Sequence, residues 1–181
     1  MKSNSLFIGA AVLAWTLAGC GKDPIEAAVA KNDRVAVTEA IKQGADVNAT
    51  VSGGDTPLLL AVKSGQSSSA QGLIEAGADI TVHDDAGNGV LHYAARSGMT
   101  GICGLLVDRG IAIDEKGTGG ATALQLAVQG GRQETAKYLV RRGASLELKD
   151  DAGASALDLV TRAGDTRFKN DLKLAATLRS N

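Results

Sequence analysis

Three sets of residues recur in this chain with a step of 33, and that period limits the fold more tightly than any single motif. The triplets Asp23-Pro24-Ile25, Thr56-Pro57-Leu58, Gly89-Val90-Leu91, Thr122-Ala123-Leu124 and Ser155-Ala156-Leu157 each begin 33 positions after the one before. Gly44, Gly77, Gly110 and Gly143 keep the same step, as do Gly54, Gly87, Gly120 and Gly153, with no insertion between units. A period in this range marks supersecondary units that bury their apolar faces against one another, rather than a chain wrapped around one central core. Aromatic residues make up only 3% of the chain, so the layers must be built from aliphatic side chains and alanine.

Local chemistry gives each unit two helices. A capping Asp, Thr or Ser precedes Pro or a small residue, because the side-chain oxygen accepts an otherwise unpaired N–H and proline's fixed φ suits the first helical position. The pairs Leu58/Ala61, Leu91/Ala94 and Leu124/Ala127 lie at i, i+3 on a short first helix, with alanines that let the next unit approach. Val37/Ile41, Ala70/Ile74, Cys103/Val107 and Ala136/Val140 form an i, i+4 stripe on the second, and a glycine follows to end it in the left-handed conformation.

Thr56-Pro57-Leu58-Leu59-Leu60-Ala61-Val62, with Gly44-Ala45-Asp46-Val47-Asn48, resembles the ankyrin-repeat family. The resemblance implies an all-α solenoid of about five helix pairs joined by β-hairpin-like tips, spanning residues 23–181. Repeat three has Leu91-His92-Tyr93-Ala94-Ala95 without the Thr-Pro, and repeat five carries Val160 where the small alanine is expected and lacks a closing Gly-Ala turn. A terminal repeat has one neighbour and a solvated outer face, so drift at the end is expected.

The N-terminus carries a separate signal. Met1-Lys2-Ser3-Asn4-Ser5 is a short positive start, Leu6 to Ala18 is an apolar run of 13 residues, and Leu17-Ala18-Gly19-Cys20 follows, which resembles a bacterial lipoprotein signal. The run is too short to span a bilayer. By this resemblance residues 1–19 are a signal peptide, Cys20 takes the lipid, residues 20–22 are a tether, and 162 residues remain. At ~3.5 Å per residue the tether reaches roughly 10 Å, pinning the first repeat near the bilayer. Gly21 after the lipid cysteine resembles the outer-membrane sorting pattern, so the expected location is the cell envelope, facing the periplasm, at the outer rather than the inner membrane. Lipidation uses one of the two cysteines. Cys103 is left, with no partner for a disulfide, as a small buried residue of the second-helix stripe.

Charge is divided along the chain. Residues 20–95 hold 5 Lys/Arg against 10 Asp/Glu, and residues 96–181 hold 13 against 10. With the acidic half next to the membrane, adhesion to anionic lipid is not expected. The basic end includes Arg132, Lys137, Arg141, Arg142, Arg162, Arg167, Lys169, Lys173 and Arg179, but no aromatic platform accompanies them, which argues against nucleic acid.

Catalytic constellations are scarce. His92 occupies the histidine position of the repeat motif, implying a structural hydrogen-bonding role; its counterparts are Glu26, Leu59, Gln125 and Asp158. His83 falls at a tip. Gly117-Thr118-Gly119-Gly120 is loosely like a phosphate loop, but no Lys-Ser/Thr follows. Asp84-Asp85 and Asp150-Asp151 fall on tips two repeats apart, too far to share a metal, and each pair alone offers too few oxygens. The expected protein is not an enzyme and needs no cofactor or metal.

What remains is recognition. Carried over from the family, the binding surface comprises Ser52, Asp55, Asp84, Asp85, Asn88, Thr118, Asp150 and Asp151 at the tips, with Lys63, Arg96, Gln129 and Arg162 at the ends of the first helices. The expected partner is a protein and the unbound form a monomer. A lipid-anchored inhibitor, such as an immunity protein against a secreted toxic enzyme like a phospholipase, competes with a scaffold for a resident periplasmic enzyme; an unrecognised enzyme or ligand-binding protein is the alternative of another class. The middle of the stack is expected to be soft, because Ser67-Ser68-Ser69, Gly72, Gly101 and Gly104 sit in second helices. Gly104→Ala is expected to stabilise unless a neighbouring helix needs the space.

Overall fold

The structure, a computed structural model, describes residues 23–178; the lipobox at Leu17 to Cys20 and the tether lie outside them. Among the described residues, ten α-helices pair into five repeats: α1 (Pro24–Ala30) and α2 (Arg34–Lys42), α3 (Pro57–Lys63) and α4 (Ser67–Glu75), α5 (Val90–Ser97) and α6 (Thr100–Asp108), α7 (Ala123–Gln129) and α8 (Gln133–Arg141), α9 (Ala156–Arg162) and α10 (Thr166–Thr177). Odd-numbered helices form an inner row and even-numbered helices an outer row, and each helix packs on its own partner and on the adjacent repeats. This is the all-α solenoid that the period requires. The hairpin-like tips contain no strand among the described residues, only isolated antiparallel bridges at His83–Gly89 and Lys116–Thr122.

The inner helices begin as the capping residues dictate. Asp23, Thr56, Thr122 and Ser155 accept the N–H of Ile25, Leu59, Gln125 and Asp158. Gly89 has no side chain to offer, and there His92 Nδ1 accepts the Gly89 N–H at 3.1 Å. The leucine and alanine pairs of the first helices are fully buried between the rows, as are Ala70, Leu73, Ile74, Cys103, Leu106, Leu139 and Leu172 of the second helices. Burial pushes the Cys103 thiol up to about 12, so it is inert packing.

A further periodic row turns the chain between the two helices of each repeat. Asn32, Gly65, Gly98, Gly131 and Gly164 all have positive φ, and Asn32, at 51°, is the one non-glycine residue to do so among those described. Its side chain has a use that glycine lacks. Oδ1 accepts the N–H of Ser68 at 3.0 Å and of Ser69 at 3.2 Å, capping α4 from the preceding repeat, where the local cap residue Gln66 supplies no side-chain bond. Ser69 is fully buried and donates to Val29 O, so the polar start of α4 is built into the stack.

The glycines of the second helices differ. A Cβ at Gly101 meets nothing within 4 Å, whereas one at Gly104 would stand 2.9 Å from the Tyr138 hydroxyl of α8. The neighbouring helix takes that space, which is the case in which alanine at 104 is not expected to stabilise.

The joints between repeats are unequal. At the motif-histidine position, Glu26 accepts Ser52 Oγ at 2.7 Å, His92 Nε2 donates to Glu115 O at 3.0 Å, and Gln125 Nε2 donates to Leu148 O and Ala154 O. Each bond braces the next tip; Leu59 cannot make one. Between repeats two and three the described residues make a single cross-repeat hydrogen bond, Arg109 Nη1 to Ile74 O at 2.5 Å, with Lys63 facing Asp84 at 3.7 Å. On the outer side of this same joint, Ser67, Ser68, Gly98 and Gly101 leave a groove that also exposes parts of Met99, Ile102 and Leu105.

Candidate interaction surface

Four tips and the C-terminal ends of the inner helices form one strip, linked from repeat to repeat. Each tip closes in the same way, with the N–H of residue i donating to the carbonyl of residue i+4: Val51 to Asp55, Asp84 to Asn88, Gly117 to Ala121 and Asp150 to Ala154. Asp84 and Asp150 reinforce the turn, their Oδ1 atoms accepting the N–H of Asn88 and Ala154, both at 2.8 Å. Side chains that serve the turn stay inside it, and the rest face outward.

That division sorts the sequence-predicted residues. Asn88 Nδ2 donates to Thr118 Oγ1 at 2.7 Å, Thr118 N–H donates back to Asn88 Oδ1, and Thr118 Oγ1 donates to Ala86 O, stitching the third tip to the fourth. Ser52 is tied to Glu26. Lys63 Nζ donates to both Asp55 oxygens, at 2.8 and 3.0 Å, and lies 5.6 Å from the Tyr93 ring centre. Asp84 also accepts the Tyr93 hydroxyl. By contrast Asp85, Arg96, Gln129, Asp151 and Arg162 are exposed, and their side chains make no hydrogen bond or close ion pair among the described residues. The strip therefore has a stitched framework of Ser52, Asp55, Lys63, Asp84, Asn88, Thr118 and Asp150, from which the five uncommitted side chains project.

Electrostatics follow the framework. Hydrogen bonding to Asp55 raises the Lys63 pKa. Burial pushes the Asp84 carboxyl up, but the Tyr93 hydroxyl, the Asn88 amide, Lys63 and the Ala86 amide outweigh it and hold Asp84 below the usual carboxylate range. Tyr93 is raised, by burial and by donating to Asp84. His92 is pushed below the usual histidine range by burial; Nδ1 accepts from Gly89, so the proton sits on Nε2.

Tyr93 and Leu126 also line this surface, in a small cavity between α5 and α7 with Asn88, His92, Arg96 and Thr118. Neither was singled out by the motif, although Tyr93 stands where the other inner helices carry Ala27, Leu60, Leu126 and Leu159. Among the described residues no group of His, Cys, Asp and Glu is placed to hold a metal ion, and no helix is long and apolar enough to cross a membrane.

Compared with known families, residues 53–85 match a model of the ankyrin repeat, and residues 81–150 match a model of three consecutive ankyrin repeats. No enzymatic family is indicated. No individual curated protein matches the chain.

Proposed function

Since the chain belongs to the ankyrin-repeat family and is a protein–protein interaction module, we propose that the concave strip is its recognition surface and that it works as a lipid-anchored inhibitor in the bacterial cell envelope. The observation that carries the site is the separation of roles along the strip. Seven side chains hold the tips in register, while Asp85, Arg96, Gln129, Asp151 and Arg162 project from fixed backbone with no side-chain hydrogen bond or close ion pair among the described residues. The backbone of such a surface is pre-organised, so the ordering cost of binding is confined to the projecting side chains.

The anchor rests on Leu17-Ala18-Gly19-Cys20 and the apolar run before it. A short lipid tether keeps the protein where a toxic enzyme such as a phospholipase arrives in the periplasm, which supports an immunity role over a scaffold. Gly21 after the lipid cysteine resembles the outer-membrane sorting pattern and favours the outer membrane over the inner.

Two experiments test this reading. Cys20→Ser should abolish fatty-acid labelling, and label persisting in the variant refutes the anchor. Against a partner captured from envelope extract, Asp85→Ala/Arg96→Ala should weaken binding with the fold intact, whereas Arg141→Ala, on the outer face, should not. A rim charge acts mainly on association rate and a desolvated charge pair costs about 2–5 kcal/mol. If Arg141→Ala abolishes binding and the concave pair has no effect, recognition lies on the outer helices.

A further inference from the structure

The sharpest feature of the strip is a missing ion pair. In repeat two, Lys63 is neutralised by Asp55, eight residues earlier. In repeat three the same two positions hold Arg96 and Asn88, and Asn88 is spent on Thr118. Arg96 keeps the cation and has lost its carboxylate.

Arg96 lines the cavity between α5 and α7, and nothing else there compensates its charge. The remaining lining residues are Asn88, Thr118, Tyr93, Leu126 and His92. Asn88 and Thr118 bond to each other, the Tyr93 hydroxyl is given to Asp84, and both nitrogens of the neutral His92 are occupied. Behind the cavity, Arg132 Nε donates to the backbone carbonyl of Arg96 at 3.2 Å, and no carboxylate lies within ion-pair distance of the Arg96 side chain among the described residues. The cavity measures about 230 Å³, below the ~300–1,000 Å³ of small-molecule sites and of a size to admit one side chain.

Resting on the concave-face reading above, we propose that this cavity is the anchor subsite for an acidic side chain of the partner. A glutamate or aspartate from a partner loop places its carboxylate on Arg96 and its stem against Tyr93 and Leu126. The guanidinium fork matches a carboxylate in a way that lysine would not. The partner's recognition segment is then acidic, and it is read at the joint of repeats three and four.

The test needs no partner, so its failure leaves the concave-face reading standing, and an outer-face result in the binding experiment leaves the subsite to be judged alone. Full-length protein in detergent micelles is titrated with Ac-Gly-Glu-Gly-NH2, Ac-Gly-Gln-Gly-NH2 and Ac-Gly-Gly-Gly-OH, following the Leu126 methyl and Arg96 Nε–H resonances by NMR. The glutamate peptide is expected to bind at least about fivefold tighter than the glutamine peptide, the ratio given by ~1 kcal/mol of ion-pair energy at a partly exposed site. Arg96→Gln should erase that preference and Arg141→Gln, on the outer face, should keep it. The proposal is overturned if neither peptide shifts these resonances, if both shift them alike, if Arg96→Gln retains the preference, or if the free C-terminal carboxylate outcompetes the glutamate side chain.

Discussion

Gly104 offers a quantitative test of how α6 meets α8. Alanine in a helix interior gains roughly 0.5–1 kcal/mol over glycine. Here its Cβ would lie 2.9 Å from the Tyr138 hydroxyl, with the ring carbons at 3.5 and 3.9 Å. The hydroxyl cannot swing away freely, because it accepts Arg142 Nη1 at 2.5 Å while Nη2 of the same guanidinium donates to Asp108 at 2.5 Å. Overpacking of this kind costs about 1–3 kcal/mol. Gly104→Ala should therefore be neutral to destabilising, by about 0–2 kcal/mol once the propensity gain is included. In a Tyr138→Phe background the nearest atom is the ring carbon at 3.5 Å, ordinary contact, and the same substitution should recover the propensity gain. The double-mutant cycle should show about 1–2 kcal/mol of coupling, within the usual span for touching residues. Gly101→Ala, with open space around its Cβ, is the control and should stabilise by roughly 0.5–1 kcal/mol. Urea unfolding with an unchanged m-value reads all of these. If Gly104→Ala stabilises the parent as much as Gly101→Ala does, the Tyr138 contact is not limiting and the reasoning fails.

Other outcomes follow from the same contacts. Asn32→Gly keeps the left-handed turn but removes the cap on α4, and should cost about 1 kcal/mol in urea unfolding; no loss would mean that water replaces the cap. His92 is held neutral by burial, so the unfolded chain takes up a proton near pH ~6.5 while the folded chain does not, and stability should fall as the pH drops below that value. His92→Gln, which repeats the chemistry of Gln125, should flatten the decline between pH 7 and 5; an unchanged slope would assign it to other groups. Gly117→Ala places a Cβ 2.5 Å from Asn88 Oδ1 and should separate the third and fourth tips, read as faster amide exchange at Thr118 than at Ser52; equal rates would refute the stitch.

The helix pairs were legible because caps, alanines and closing glycines act within a single repeat and recur in phase. Interactions between repeats were not. That Asn32 caps a helix 36 residues away depends on how two units stack, and the only trace in sequence is that it takes the place of glycine in the row Gly65, Gly98, Gly131 and Gly164. On the strip, the motif supplied twelve positions without saying which are consumed by the framework. Asp84 and Asp85 are adjacent and chemically identical, yet one serves its own turn and the other faces solvent. Tyr93 went unremarked because its value lies in reaching Asp84 across the tip, a contact invisible at helical spacing.

The joint at Leu59 gives the solenoid an uneven mechanical character. Elsewhere the inner row is braced to the next tip by a polar side chain; between repeats two and three that brace is absent, and the outer helices stand apart there around small residues. A joint held by one cross-repeat hydrogen bond is where the stack is expected to flex under load, with repeats one and two on one side and three to five on the other. Lys63, reaching from one segment toward Asp84 on the other at 3.7 Å, spans the opening like a latch, and a bound protein that bridges the second and third tips would fix the angle between the two segments.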